Sequence, residues 1–151
     1  MEAAAVFLAT RPRSTTETTR RLEHLGYPPA LVEEVVTRLV EVGYLDDEVF
    51  ARTWVESRDR ARPRGETALR RELYVKGIER QLIDQVLAER LGAAQDGDPN
   101  RDAATALLER KRAALTREPD ERKRRQKAYA MLARNGFDPE TCRDVASSFV
   151  P

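Results

Sequence analysis

Residues 69–87 have the sequence LRRELYVKGIERQLIDQVL, and the glycine in the middle of this stretch organises the whole chain. Before it, Leu69 and Leu73 are spaced by four, which is the spacing of one face of a helix. Gly77 is the residue type that most readily takes the left-handed conformation with which many helices end. Apolar residues with helical spacing then resume. The stretch predicts two helices joined by a short glycine turn.

The same pattern occurs three times along the chain. A glycine followed by an apolar residue recurs at Gly26, Gly77 and Gly136. The position four residues before each glycine is always leucine, and the position nine residues after it is always valine: Leu22, Leu73 and Leu132, then Val35, Val86 and Val145. Matching offsets of this kind indicate three copies of one helical unit.

Each copy is predicted to contain three helices. The opening helices are expected near residues 3–9, 47–58 and 103–112, and a proline in each following connector (Pro12, Pro63 and Pro119) stops them. The helix after each glycine carries paired apolar steps that predict a core-facing stripe. In the first two copies these residues are Leu31, Val32, Val35, Val36 and Leu39, then Leu82, Ile83, Val86 and Leu87.

The predicted fold class is all-α, with three tandem three-helix repeats in an extended, curved array. We expect helical repeat 1 at residues 1–42, helical repeat 2 at 43–91, a linker at 92–100 and helical repeat 3 at 101–151. The linker assignment depends on its Gly, Asp and Pro content.

Charge is balanced overall and uneven locally. The 151 residues include 27 Lys and Arg against 26 Asp and Glu, so the formal net charge of +1 says little about partners. From Arg58 to Arg71, however, six arginines accompany two acids, and from Arg110 to Lys127 nine bases accompany three acids. Such runs usually form solvated helix faces; two of them in related places of a repeat favour a surface that binds a polyanion.

Several residues that could carry chemistry have simpler structural interpretations. Asp46, Asp47 and Glu48 could hold a divalent metal, but a cap and an acidic first turn of the next helix explain all three. His24 has no patterned partner for general-base work, and Cys142 falls in an apolar stripe. We therefore expect no metal site, no cofactor and no enzymatic activity.

Aromatic residues are few, and packing is the favoured interpretation for most. Trp54 follows Phe50 by four residues, as on one apolar helix face. Tyr44, Tyr74 and Tyr129 could stack on exposed nucleic-acid bases, and Tyr129 lies two residues after the end of the second basic run.

A single cysteine allows no disulfide within the chain, and no apolar stretch approaches the length of a membrane span. The short apolar N-terminus lacks the features of a signal peptide. These observations predict a cytoplasmic protein, which we also expect to be a monomer.

Residues 43–58, GYLDDEVFARTWVESR, together with 69–87, resemble the RecX family of bacterial RecA regulators. The Arg-Pro-Arg-Ser sequence at 11–14 is similar to the first connector of that family. The matching residues of the second copy are Gly43, Tyr44, Asp46, Asp47, Glu48, Phe50, Ala51, Lys76, Gly77 and Ile78.

The resemblance implies three three-helix repeats and a regulatory role. A RecX-like protein is expected to bind RecA, chiefly as the filament on single-stranded DNA, and to lower its ATPase, strand-exchange and coprotease activity, modulating recombination and the SOS response. The expected contacts with RecA or DNA phosphates are Arg58, Arg60, Arg62, Arg64, Arg70, Arg71, Arg122, Lys123, Arg124, Arg125 and Lys127. The connector arginines among them are expected to be exposed, with no packing role.

Two other functions are compatible with the same residues. A free-standing DNA-binding protein would also use three-helix units and basic runs. A structural adaptor with an unrelated protein partner would use the repeat surface alone.

Overall fold

The structure is a computed structural model that describes residues 1–151, and helices are its only regular secondary structure. No helix is both long and apolar enough to cross a membrane. The helices are α1 (Glu2–Thr10), α2 (Thr15–His24), α3 (Pro29–Glu41), α4 (Asp47–Ala61), α5 (Glu66–Val75), α6 (Arg80–Ala93), α7 (Pro99–Arg110), α8 (Arg112–Thr116), α9 (Glu121–Arg134) and α10 (Pro139–Ser148). The predicted all-α class is confirmed.

The repeated glycines end the middle helix of each repeat, as predicted. Gly26, Gly77 and Gly136 have φ values of +90°, +78° and +85°, a region that favours glycine. After each of them, the next N–H donates to the carbonyl of the leucine five residues earlier, as in Ile78 to Leu73 at 3.1 Å. This pattern is the Schellman motif, so the leucine, glycine and apolar residue repeat together because they build one capping structure.

A fourth glycine forms the same Schellman cap at the end of α3. Gly43 has φ of +82°, and the N–H of Tyr44 donates to Leu39 O at 2.9 Å. The sequence already carries the signal, since Leu39 lies four residues before Gly43. The turn between repeats 1 and 2 is therefore built by the same local cap as the turns within the repeats.

Side-chain caps begin several of the helices. Asp138 accepts from Thr141 N at 2.9 Å at the start of α10, and Asp46 accepts from the N–H groups of Glu48 and Val49 at the start of α4, as predicted. Ser14 and Glu17 form a reciprocal capping box at the start of α2. Their Ser-x-x-Glu spacing could have predicted it.

Two details of the prediction are wrong in the third repeat. The structure has ten helices where nine principal ones are expected, because the short α8 follows α7. In addition, α7 begins at Pro99, capped by Asp98, and not at residue 103. A proline is favourable at the first helical position, where its missing N–H would have no partner.

The chain folds into two compact units. The first unit comprises Met1–Trp54 and Leu73–Val86, and the second comprises Val55–Glu72 and Leu87–Pro151. The first holds an apolar core of Ala4, Leu22, Val32, Val36, Leu39 and Leu45. The second holds a larger one of Ala103, Ala104, Leu107, Leu108, Leu115, Ala128, Leu132, Phe137, Cys142, Val145 and Ala146.

Within the first unit, the connector after α1 docks on the glycine turn that follows α5. Ser14 Oγ donates to Lys76 O at 2.6 Å, and Glu17 accepts from Lys76 Nζ at 2.6 Å. Although burial alone would raise the pKa of Glu17, hydrogen bonds from Lys76 and the Ser14 N–H hold it below its ordinary value. Thr15 N donates to the Asp47 carboxylate at 2.8 Å, so Asp47 binds the N-terminus of α2.

Within the second unit, the connector after α4 docks in an equivalent way on the turn that follows α9. Gly65, the residue before α5, stands twelve positions before Gly77, just as Ser14 stands twelve before Gly26. Gly65 N donates to Asn135 O at 2.9 Å, and both Lys76 and Asn135 immediately precede a turn glycine. The repeat therefore reproduces a docking interaction as well as a fold.

The predicted core stripe is correct at most positions and wrong at Leu31. Within the stripe, Val86 is nearly fully buried, whereas Leu31 is 44% exposed. Leu73, which lies before the glycine turn, is fully buried. Helix α3 packs Val32 and Val36 into the core of the first unit, and Leu31 lies outside that helix face.

We expect Leu73→Ala to lower the free energy of unfolding by about 2–5 kcal/mol, because it removes a fully buried side chain. Leu31→Ala, the matched control, should cost well under half as much. Thermal melts followed by circular dichroism measure both. Equal costs would contradict the assignment of Leu73 to the core.

Candidate interaction surface

All eleven basic residues predicted to bind a partner belong to the second compact unit. Not all of them are available. Arg58 and Arg64 lie on either side of Glu72, with nitrogen–oxygen distances of 3.1 and 3.7 Å. Arg64 also donates to the Asn135 side chain. The expectation that Arg64 has no packing role is therefore wrong: it holds the docked connector in place.

Of the other four predicted bases of the middle repeat, one is paired and three are open. Arg70 pairs with Glu66 at 3.4 Å along α5. Arg60, Arg62 and Arg71 are exposed and form no ion pair.

The second group lies in the first two turns of α9, which is four residues longer than α2 or α5. Lys127 pairs with Glu118 at 2.7 Å, and Arg124 donates to the Glu118 carbonyl at 2.9 Å. Arg125 pairs with Glu121, one turn earlier. Arg122 and Lys123 are exposed and form no ion pair.

The docked connector sets the distance between the two groups. Gly65 binds the C-terminal end of α9 at Asn135, while Lys123 lies in its first turn. At 1.5 Å per residue, these two points of α9 are about 18 Å apart along the helix axis. We define the basic surface as the exposed bases without an ion pair at these two places: Arg60, Arg62, Arg71, Arg122 and Lys123.

One base between the two groups was missed by the sequence prediction. Arg134 is exposed in the last turn of α9, beside the docked connector. It follows Lys123 and Lys127 at offsets of eleven and seven, which places the three on one face of the helix. That spacing is the signal that could have identified it.

The aromatic residues fall into two classes. Trp54 stacks on Phe50 with ring centroids 5.9 Å apart, and Tyr129 packs against the core of the second unit, so packing is confirmed for both. Tyr44 and Tyr74 are each 75% exposed.

The acidic cluster at the start of α4 is engaged in structural interactions. Asp46 caps the helix, Asp47 accepts from Thr15 N, and Glu48 pairs with Arg52. Cys142 is buried, and both burial and the nearby Asp138 raise the pKa of its thiol. A raised thiol pKa disfavours the thiolate that nucleophilic chemistry needs.

Comparison with known sequence families gives three matches along the chain. The first three-helix domain of RecX matches residues 1–39, the second matches residues 46–87, and the third matches residues 100–145.

Individual relatives carry the name regulatory protein RecX. The protein from Chlorobium phaeobacteroides (strain BS1) is 32% identical over 142 residues, covering 91% of this chain and 85% of the relative. That from Mycobacterium sp. (strain JLS) is 36% identical over 143 residues, covering 93% and 75%. That from Streptomyces coelicolor is 40% identical over 126 residues, covering 83% and 64%.

Two solved structures share the fold. A regulatory protein RecX crystal structure superposes with a TM-score of 0.78 at 21% identity, covering 97% of this chain and 71% of that one. RecX from Lactobacillus salivarius gives the same TM-score at 17% identity, covering 97% and 91%.

Proposed function

The chain belongs to the RecX family of regulatory proteins, and on that premise we propose that it binds RecA, chiefly as the filament on single-stranded DNA. Binding lowers the ATPase, strand-exchange and coprotease activity of RecA and so modulates recombination and the SOS response. The protein acts by occupying a surface, without catalysis of its own, in the cytoplasm and as a monomer.

The observation that carries this proposal is the basic surface. Its five bases have no acidic partner within the protein, so their charge is available to a polyanion. Bases already paired with acids contribute less, because a new partner must compete with the existing one. Arg58, Arg64, Arg70, Arg125 and Lys127 therefore rank below the five as ligands of RecA side chains or DNA phosphates. Arg124 also ranks below them, because it is half-buried and already donates to the Glu118 carbonyl.

A free-standing DNA-binding protein is the second candidate, because the same five bases could neutralise phosphates without RecA. Titrating salt into a complex with single-stranded DNA alone distinguishes the two. Tight binding that weakens steeply with salt favours the second candidate, and weak binding favours the first.

Replacing Arg60, Arg62 and Arg71 together by Ser should weaken inhibition of the RecA ATPase on single-stranded DNA. The change removes three exposed charges and should alter stability by less than about 0.5 kcal/mol per site. If the three bind phosphates, the slope of log affinity against log salt should become shallower by about 0.7 for each phosphate that is no longer neutralised. ATPase titrations at several salt concentrations measure both effects.

A charge-matched control replaces Arg38, Arg80 and Arg143, which are exposed and lie outside the basic surface. It should inhibit as well as the parent. If the two triple variants lost inhibition to the same extent, net charge alone would account for the loss. The assignment of the basic surface would then be wrong.

A further inference from the structure

The docking interaction that occurs in each compact unit has a third, uncovered counterpart in the first repeat. The turns at Gly77 and Gly136 each receive the residue that precedes a middle helix. The corresponding turn of the first repeat is Leu25-Gly26. A Cβ added at Gly26 would meet nothing within 4 Å, whereas one at Gly77 would strike Thr16, and Leu25 is 46% exposed.

Beside this turn lies an open groove of about 620 Å³ between α1 and the end of α2. Its apolar lining includes Val6, Leu25 and Tyr27, which are 66%, 46% and 43% exposed. Large apolar side chains clustered in a groove commonly mark a site that another molecule covers.

Two arginines line the same groove without an acidic partner. The guanidinium carbons of Arg13 and Arg21 lie 4.1 and 6.0 Å from the centroid of the Phe7 ring, and neither arginine forms an ion pair. Arg13 donates from Nη2 to Thr10 at 2.9 Å, but its Nε is buried without a hydrogen-bond partner. Burial, followed by the charges of neighbouring arginines, lowers the pKa of Arg13.

The second repeat shows what is absent from this groove. With the glycine turns aligned, 51 residues separate equivalent positions, so Arg13 corresponds to Arg64 and Arg21 to Glu72. In the second repeat the Glu72 carboxylate binds Arg64 and also Arg58, the equivalent of Phe7. The first repeat has a second guanidinium where the second repeat has this carboxylate.

No acidic residue of the first repeat takes the place of this carboxylate beside Arg13 and Arg21. Glu17 is already bound to Arg11 and Lys76. Glu2 is the one acidic residue lining the groove, and it forms no ion pair with either arginine.

We propose that this groove binds an acidic peptide segment of a partner protein, with one carboxylate between Arg13 and Arg21 and a neighbouring apolar side chain on Leu25 and Tyr27. The carboxylate pairs with the guanidinium groups of Arg13 and Arg21, which line the groove and have no ion-pair partner within the protein. A charge-assisted hydrogen bond of this kind is stronger than one between neutral groups. The apolar side chain covers the exposed turn.

A second copy of this chain is a poor occupant, on grounds of charge. Its first two connectors, residues 11–13 and 62–64, both read Arg-Pro-Arg and would repel the two arginines. The third connector contains acids, but Glu118 is paired with Lys127 and Asp120 caps α9. A nucleic acid is a poorer fit, because its phosphates would favour the more exposed arginines and lysines of the basic surface and would leave Val6 and Leu25 uncovered.

The test is a nuclear magnetic resonance titration of the full chain with a blocked hexapeptide of sequence glycine-leucine-aspartate-glutamate-leucine-glycine. The matched control probe carries asparagine and glutamine in place of the two acids. We expect the acidic probe to shift the amide signals of Val6, Leu25 and Tyr27 and to bind about tenfold more tightly than the amide probe.

Arg21→Glu is the decisive variant, because it places a carboxylate where the second repeat has Glu72. The new carboxylate should pair with Arg13 and reduce binding of the acidic probe by about tenfold or more. Circular dichroism should show an unchanged fold, and Arg21→Gln provides the same comparison without a new charge.

Equal binding of the two probes, no shift at the groove, or undiminished binding by both Arg21 variants would overturn the proposal. So would a concentration-dependent dimer, seen by analytical ultracentrifugation, that Arg21→Glu dissociates, since a second copy would then be the occupant. The titration contains neither RecA nor nucleic acid, so its outcome is independent of the proposed function.

Discussion

Replacing Arg90 by Met should lower the free energy of unfolding by about 3 kcal/mol, because it removes one partner of a largely buried ion pair. The Arg90 side chain is 7% exposed, and its Nε and Nη2 donate to the two Asp59 oxygens at 2.8 and 2.9 Å. Without Arg90, the Asp59 carboxylate loses its counter-ion. Because that carboxylate keeps 35% exposure, the cost should lie at the lower end of the range for buried pairs. Urea denaturation followed by circular dichroism measures it.

The matched control is Arg101→Met, which breaks the pair between Arg101 and Asp144. Those side chains are 53% and 44% exposed, so the loss should be below about 1 kcal/mol. If both variants lost the same stability, Arg90 would behave as an ordinary surface residue and the prediction would be wrong.

Arg90 also forms hydrogen bonds outside this ion pair, and its replacement would remove them. Its Nη1 donates to Asn100 at 2.7 Å, and its Nη2 also reaches the Pro99 carbonyl at 3.3 Å. Arg90 therefore joins α4, α6 and the start of α7 within the second compact unit. The last two residues of the predicted 92–100 linker are bound by it.

Gly136→Ala should lower the free energy of unfolding by about 2–5 kcal/mol, from two effects that add. At φ of +85° any side chain is strained, by about 1–2 kcal/mol for an L-residue. In addition, the new Cβ would clash with the backbone nitrogen of Ala68 in the first turn of α5, and only a shift of this part of α5 could relieve the clash. Overpacking of this kind costs about 1–3 kcal/mol.

Gly43→Ala separates the two effects. Gly43 has nearly the same φ, +82°, but a Cβ there would meet nothing within 4 Å. The Gly43→Ala variant should therefore lose only the part of the free energy of unfolding that comes from backbone strain, about 1–2 kcal/mol. The difference between the two variants in chemical denaturation reports the close packing at the docked turn. A difference near zero would mean that the first turn of α5 moves away without cost and that its close packing on the turn contributes little to stability.

Local structure was predictable wherever the partners of an interaction lie close together in the chain. The Schellman turns join a leucine, a glycine and an apolar residue within six positions, so their recurrence could be recognised from spacing alone. The caps at Asp46 and Asp138 bind N–H groups two or three residues ahead. Gly43 and the Ser14 capping box carried equally local signals that the sequence prediction did not use.

Interactions between distant residues could not be predicted in the same way. The sequence predicts that Asp47 belongs to a helix start, but its carboxylate also binds Thr15, which lies 32 residues away. The sequence predicts that Arg64 is an exposed connector residue, but in the structure it binds Glu72 and Asn135. With 27 bases and 26 acids, the sequence permits many pairings, and composition does not choose among them.

The sequence by itself determined the nine principal helices and the three glycine turns, because these depend on hydrogen bonds or apolar spacing within about one helix length. It also determined the family, through the motif residues at 43–58 and 69–87. The tertiary structure alone decided which bases remain open. Helix packing brings Glu72 between Arg58 and Arg64 while leaving Arg60 and Arg62 in solvent. Whether a charge is available to a partner depends on the distance to the nearest opposite charge in space, and that distance is set by how the repeats dock.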